Sequence, residues 1–158
     1  MAIKTYDTIS FREKFMQAGQ QLESLLQPGF DRFFIVRVED MIRLMKLPVP
    51  PNRATSHTII YLTGGEAIMR IGSQTYRIFK EECLVVPAGQ VFSFDNVDLN
   101  TGYLLGFQDD FLLGRMALRE GLQAFDFLRV WGNPCIRPDA QAAGHMQALF
   151  SRLFYHAY

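Results

Sequence analysis

The sequence predicts a mainly β domain: a jelly-roll barrel of about eight strands, with a helix before it and helices after it. Between Arg32 and Gln108 the chain runs in short segments rich in Ile, Val, Phe and Tyr, punctuated by turn residues at the spacing of an all-β sandwich or barrel. On either side the apolar residues fall at helical spacing instead. A length of 158 residues, 49% hydrophobic with 14 Phe, supplies one compact domain with an aromatic-rich core.

The first helix is expected to start at a Ser10 cap and run to Gln27, with Phe11, Phe15, Leu22, Leu25 and Leu26 on one side and Pro28-Gly29 as its stop. The expected strands are Phe33 to Val38, Ile42 to Lys46, His57 to Thr63, Ala67 to Ile71, Gln74 to Phe79, Cys83 to Val86, Val91 to Phe94 and Gly102 to Phe107. Between the second and third, Pro48, Pro50 and Pro51 cannot donate ladder hydrogen bonds and predict a loop or barrel rim. Gly72-Ser73 reads as a hairpin turn.

After Phe107 the pattern turns helical, with Asp109-Asp110 suited to a helix N-terminus ahead of Phe111, Leu112 and Met116. A less regular stretch runs through Trp131, and Asn133-Pro134 and Pro138 then break the chain. Asp139 is expected to cap a last helix with Ala142, Met146, Leu149, Phe150, Leu153, Phe154 and Ala157 on one face. Such a stripe packs on its own domain, meets a second copy of the chain, or does both. Three parts follow: a helical extension over 1–31, a barrel over 32–108, and a helical segment over 109–158. No helix stop precedes Tyr158, so the natural chain is expected to continue.

Lys+Arg and Asp+Glu both number 16, so there is no basic excess to neutralise phosphates, and tight DNA binding by this segment alone is not expected. The N-terminus lacks an apolar export region, and no stretch approaches the roughly 20 apolar residues that span a membrane. Cys83 and Cys135 form no framework and are expected to be buried, reduced and cytoplasmic.

The segment Pro87-Ala88-Gly89-Gln90-Val91-Phe92-Ser93-Phe94-Asp95-Asn96 resembles the second motif of cupins, Pro-x-Gly-x-x-His-x-x-x-Asn, with Phe92 in the histidine position. The first cupin motif requires His-x-His and a carboxylate, whereas the strand beginning at His57 offers one histidine, and His145 and His156 lie near the far end. Transition-metal sites need three or four converging ligands, so no metal or other cofactor is expected.

Taken with Tyr61-Leu62-Thr63-Gly64-Gly65-Glu66, with Gly102-Tyr103-Leu104-Leu105-Gly106-Phe107 ahead of Asp109-Asp110-Phe111-Leu112, and with the closing amphipathic helix, the chain resembles the N-terminal domain of AraC-type transcription regulators over roughly residues 30–158. The resemblance implies a cupin-like double-stranded β-helix that binds a small, sugar-like effector and a helix pair that dimerises the protein. It implies DNA binding through a C-terminal pair of helix-turn-helix motifs, which has no counterpart here. The ligand contacts it suggests are Arg53, Phe94 and Leu104. Strand parity adds His57, Ile59 and Tyr61, with Met69, Tyr76 and Phe92 as further lining. The ordinary role of each such aromatic is core packing, and that of a lone histidine is a structural hydrogen bond. The dimer contacts expected are Met146, Leu149, Phe150, Leu153 and Phe154.

Three other readings stay open: a stand-alone cupin enzyme, a non-catalytic small-molecule (carbohydrate) binding protein and a pure dimerisation scaffold. A stand-alone cupin enzyme would need acid, base or metal groups meeting in the barrel, and the nearest carboxylates, Glu66, Glu81, Glu82, Asp95 and Asp98, sit at expected turns or strand ends. A pure dimerisation scaffold would have its interior filled by Phe92, Phe94 and Tyr61.

Overall fold

The computed structural model describes residues 2–26, 28–95, 99–108 and 134–156. Asn96, Asp98, the expected helix start at Asp109-Asp110 with Phe111, Leu112 and Met116, the stretch through Trp131, Asn133 and Ala157 lie outside them.

The order of elements is β1 (Thr5–Tyr6), α1 (Thr8–Phe15), α2 (Gln20–Leu25), β2 (Phe33–Arg37), α3 (Val38–Ile42), β3 (Val49–Ala54), β4 (His57–Ile71), β5 (Gln74–Phe79), β6 (Cys83–Val86), β7 (Val91–Phe94), β8 (Asn100–Phe107), β9 (Cys135–Ile136) and α4 (Ala140–His156). The protein is mainly β, with a cupin-like jelly-roll arrangement of strands and helices at both ends. Its long strand β4 organises the sheet. The N-terminal half of β4 pairs with β6 and β8, which continue to β9 and β2. The C-terminal half pairs with β5 and β7, and β7 leads on to β3 and β1. Among the described residues every strand pairing is antiparallel except β1 with β3.

Gly64-Gly65, expected to separate two strands, instead lies within β4, where the register against β8 shifts between Leu62 and Gly64. Gly65 has φ +75°, and a Cβ there would meet the Leu99 carbonyl oxygen at 2.1 Å, so the bulge requires glycine. It lets one strand serve both halves of the sheet.

Three further expectations are corrected. Residues 10–27 do not form one helix: Asp7 caps α1 by accepting the Ser10 amide at 2.7 Å, the chain turns out after Phe15 to bridge Met16 with Met45, and α2 begins after Gly19. That hydrogen bond holds the Asp7 carboxyl below its ordinary pKa. The strand expected over Ile42 to Lys46 is absent; α3 precedes it, with Glu39 and Asp40 in its favourable first turn and Met41 and Leu44 buried against Met16, Leu22 and Leu26. The proline-rich stretch is a strand, not a loop. Pro50 and Pro51 fall at the register shift between Val49 and Asn52, where no ladder donor is demanded of them.

Two apolar layers result. Inside the fold, Ile60, Leu62, Ile71, Ile78, Leu84 and Val86 pack together. On the outer face of the β6–β4–β8–β2 half, Ile35, Ile59, Tyr61, Cys83, Val85, Leu105 and Phe107 are covered by Phe150 of α4, with Met146, Leu153 and Phe154 beside it. Arg37 pins the helix end, its guanidinium 5.1 Å over the Phe154 ring and 3.2 Å from the Tyr155 hydroxyl.

Cys83 is 1% exposed, and burial pushes its thiol from 9.0 up to about 12. The thiol is neutral in both states below its ordinary value; above it the unfolded chain ionises first, so stability is lost as pH rises from about 9 towards 12. Burial raises the Tyr61 hydroxyl too, with Cys83, Glu81 and Tyr103 adding to it, which extends the alkaline loss. Urea midpoints measured from pH 8 to 11 are expected to fall less steeply in Cys83→Ala than in the parent. An equal slope would show that the thiol is not buried.

Candidate functional site

The interior holds a cavity of about 160 Å³. One wall is the inward face of the β6–β4–β8 half: Thr58 and Ile60 from β4, Leu84 and Val86 from β6, and Leu104 from β8. The opposite wall comes from the other half, with Ala54 of β3, Ala67 and Met69 of β4, and Phe92 and Phe94 of β7. The N-terminal segment closes a third side through Tyr6, Phe11, Arg12 and Met16, and the β2–α3 region contributes Phe34, Met41 and Met45.

The closing segment is attached in two ways. Its backbone joins the sheet edge: the Arg53 amide donates to the Lys4 carbonyl at 2.9 Å and the Thr55 amide to the Tyr6 carbonyl at 3.0 Å. Its aromatic side chains form a continuous run, Tyr6 to Phe15 (5.3 Å), Phe15 to Phe11 (4.9 Å), Phe11 to Phe92 (6.2 Å) and Phe92 to Phe94 (6.4 Å between centroids).

Of the ligand contacts expected from sequence, Met69, Phe92, Phe94 and Leu104 meet at this cavity. The other five do not. On β4 the expected parity is reversed: Thr58, Ile60 and Leu62 turn inward, whereas Ile59 and Tyr61 turn outward to α4. Tyr61 is fully buried there, stacked on Phe150 with centroids 4.9 Å apart and planes within 2°. His57 is buried as well; its Nδ1 accepts the Ala88 amide at 2.9 Å, and its ring lies 5.3 Å from Phe107. Arg53 sits on β3, donating to the Gly89 carbonyl at 2.6 Å. Tyr76 packs against the inner core from β5 without reaching the cavity wall.

The wall residues that sequence reasoning passed over include those of the N-terminal segment and of α3, Thr58 and Ile60 of β4, and Leu84 and Val86 of β6. Phe11 was visible as part of a helical stripe, but tertiary attachments at both ends of that helix, the pairing of β1 with β3 and the Met16–Met45 bridge, carry it to the cavity.

Polar groups at the wall are few and mostly engaged. Asp7 caps α1, and Arg12 pairs with Glu23 while lying 5.1 Å over the Phe30 ring. Asn100 donates through Nδ2 to the Glu66 carbonyl at 2.9 Å, and its Oδ1 is buried without a partner among the described residues. Ser56, Thr58 and Thr8 add hydroxyls. Among the described residues no three His, Cys, Asp or Glu side chains converge as metal ligands. Nor is any described helix long and apolar enough to cross a membrane.

The dimer contacts expected on α4 also separate. Phe150 is 5% exposed, and Met146, Leu153 and Phe154 pack on the chain's own sheet, whereas Leu149 is 52% exposed. The apolar stripe read from sequence is therefore in the main a seat on the domain itself.

Among solved structures the chain is similar to the Schizosaccharomyces pombe Cnp3 cupin domain, at 15% identity and a TM-score of 0.37, covering 66% of this chain and 70% of that one. It is similar to the vicilin of Solanum melongena at 11% identity and a TM-score of 0.37, covering 86% of this chain and 46% of that one. The corresponding figures for a Bacillus subtilis oxalate decarboxylase are 11% and 0.35, with 68% of this chain and 34% of that one covered. No curated protein sequence matches the chain. Residues 43–157, which include both strand walls of the cavity, match the model of the AraC-like ligand binding domain, and the chain belongs to that family.

Proposed function

We propose that this chain is the effector-sensing half of a cytoplasmic transcription regulator: a non-catalytic domain that holds a small molecule in its cavity and passes the binding event to a DNA-binding region beyond this chain. The observation that carries the reading is the apolar cavity between the two halves of the sheet, closed on one side by the chain's own N-terminal segment. Concave, mostly apolar sites with a few polar groups are the usual form of small-molecule sites. Met69, Phe92, Phe94 and Leu104 are the contacts that this reading keeps.

An effector shifts such a regulator only through different affinity for two states of the protein. The N-terminal segment supplies such a difference, since it forms cavity wall through two separable attachments, the β1–β3 pairing and the Met16–Met45 bridge. Homodimerisation belongs to the same reading, and Leu149 is the member of the expected contact set left at the surface for it.

The test is made on the complete reading frame of the source gene. A frame that continues past Tyr158 into a basic pair of helix-turn-helix motifs is expected, along with promoter affinity that changes at least fivefold when the cavity is occupied. A frame ending at Tyr158, or promoter affinity indifferent to a ligand bound in the cavity, would overturn the regulator role.

A further inference from the structure

The geometry points to one chemical class of ligand for this cavity: a small, uncharged, mainly hydrocarbon molecule about the size of a single aromatic ring, in place of a sugar. This inference rests on the effector-binding reading above and narrows it.

Charge is the first discriminator. The two charged side chains at the wall are both committed, Asp7 to the Ser10 amide and Arg12 to Glu23 and the Phe30 face. An ionised ligand would therefore be taken from water without a free counter-charge among the described wall residues.

Hydrogen-bonding capacity is the second. A monosaccharide brings several hydroxyls, each of which must be paired or left desolvated. The wall offers Thr8, Ser56 and Thr58 hydroxyls and the Asn100 amide, whose Nδ2 already serves Glu66. Phe11, Phe34, Phe92 and Phe94, by contrast, add aromatic surface to the wall.

Shape is the third. Four of the chain's seven methionines, Met16, Met41, Met45 and Met69, stand at the wall, and their unbranched, polarizable side chains adapt to an irregular apolar guest. The volume of about 160 Å³ matches the size at which an apolar protein cavity, about 150 Å³, stays dry and takes up benzene.

The experiment uses the chain labelled with ¹³C at the methionine methyls, titrated separately with toluene, indole, L-arabinose and D-glucose. Toluene or indole is expected to shift the Met16, Met41, Met45 and Met69 methyls saturably while Met146, packed by α4 against the outer face of the sheet, stays fixed. Filling the cavity with Ala67→Leu is expected to weaken that binding at least tenfold, and Ala54→Leu at the same wall serves if the first variant fails to fold. Sugar-induced shifts at these methyls without any from the apolar probes would overturn the ligand class and leave the effector reading standing. No shift from any probe would overturn both. Apolar-probe shifts that include Met146, or that survive the filling variants, would mark non-specific partitioning and overturn the assignment.

Discussion

Phe150→Ala is expected to lower the stability of the domain by about 3–5 kcal/mol, a large part of what holds a domain of this size folded. Phe150 stacks on Tyr61 at 4.9 Å and near-parallel to Tyr103 at 6.4 Å, and it is the α4 residue buried within the outer cluster of Ile35, Ile59, Cys83, Val85, Leu105 and Phe107. Removing the ring opens a void beneath the helix, and the strand side chains around it are held from the other side by the inner core. The site cannot collapse readily, which places the cost towards the upper end of the range. Tyr61 gains nothing in compensation, since its hydroxyl has no partner among the described residues and packing alone retains it. Leu149→Asp, one residue away but 52% exposed, is expected to change stability by no more than about 0.5 kcal/mol. Urea unfolding followed by circular dichroism measures both. An unchanged midpoint for Phe150→Ala would mean that α4 is not seated on the sheet and that its stripe is free to meet another chain.

The helix explains why one part of the site was misread from sequence. A strand covered on one face alternates apolar and polar residues, and parity then reveals which side is inward. In β4 the inward set is Thr58, Ile60 and Leu62, and the outward set is His57, Ile59 and Tyr61. Apart from the half-buried Thr58 both sets are buried, the outer one in part under α4, so the apolar–polar alternation that would have decided the parity is missing. β7 had no such ambiguity: the Pro87-x-Gly89 turn set its start, and Phe92 and Phe94 reach the cavity as that start implies. The short β-rich runs were legible as strands wherever β-branched and aromatic residues clustered. Two failures fell where tertiary pairing overrode a local signal, at the prolines of β3 and the glycines of β4, both taken up at register shifts; the other two, the single helix over 10–27 and the strand over Ile42 to Lys46, fell where the chain breaks to form the Met16–Met45 bridge. The N-terminal wall was illegible for a related reason. It is attached by a two-residue parallel pairing between Thr5-Tyr6 and Arg53-Ala54 and by the single Met16–Met45 bridge, both too short to leave a pattern in sequence.

Gly102→Ala is expected to cost about 3 kcal/mol or more, seen as a fall in Tm of about 6–12 °C for a domain of this size. Gly102 lies opposite Leu62 where β8 crosses β4, at φ +155°. A Cβ there would stand 2.0 Å from the Tyr61 carbonyl oxygen and 2.8 Å from the Leu62 Cα. Both are backbone atoms of the strand that joins the two halves of the sheet, so no side-chain rotation relieves the clash. One of the two strands must move. Gly72 provides the control: its φ of +62° disfavours alanine, yet a Cβ there meets nothing within 4 Å. Gly72→Ala is therefore expected to cost about 1–2 kcal/mol, the conformational part alone. The difference between the two variants isolates the close approach of β8 to β4. Because Leu104 follows two residues later at the cavity wall, displacement of β8 is also expected to weaken apolar-probe binding in Gly102→Ala and leave it unchanged in Gly72→Ala. Equal stability losses would show that the strands do not approach so closely. A loss of stability with binding intact would show that the cavity does not depend on this crossing.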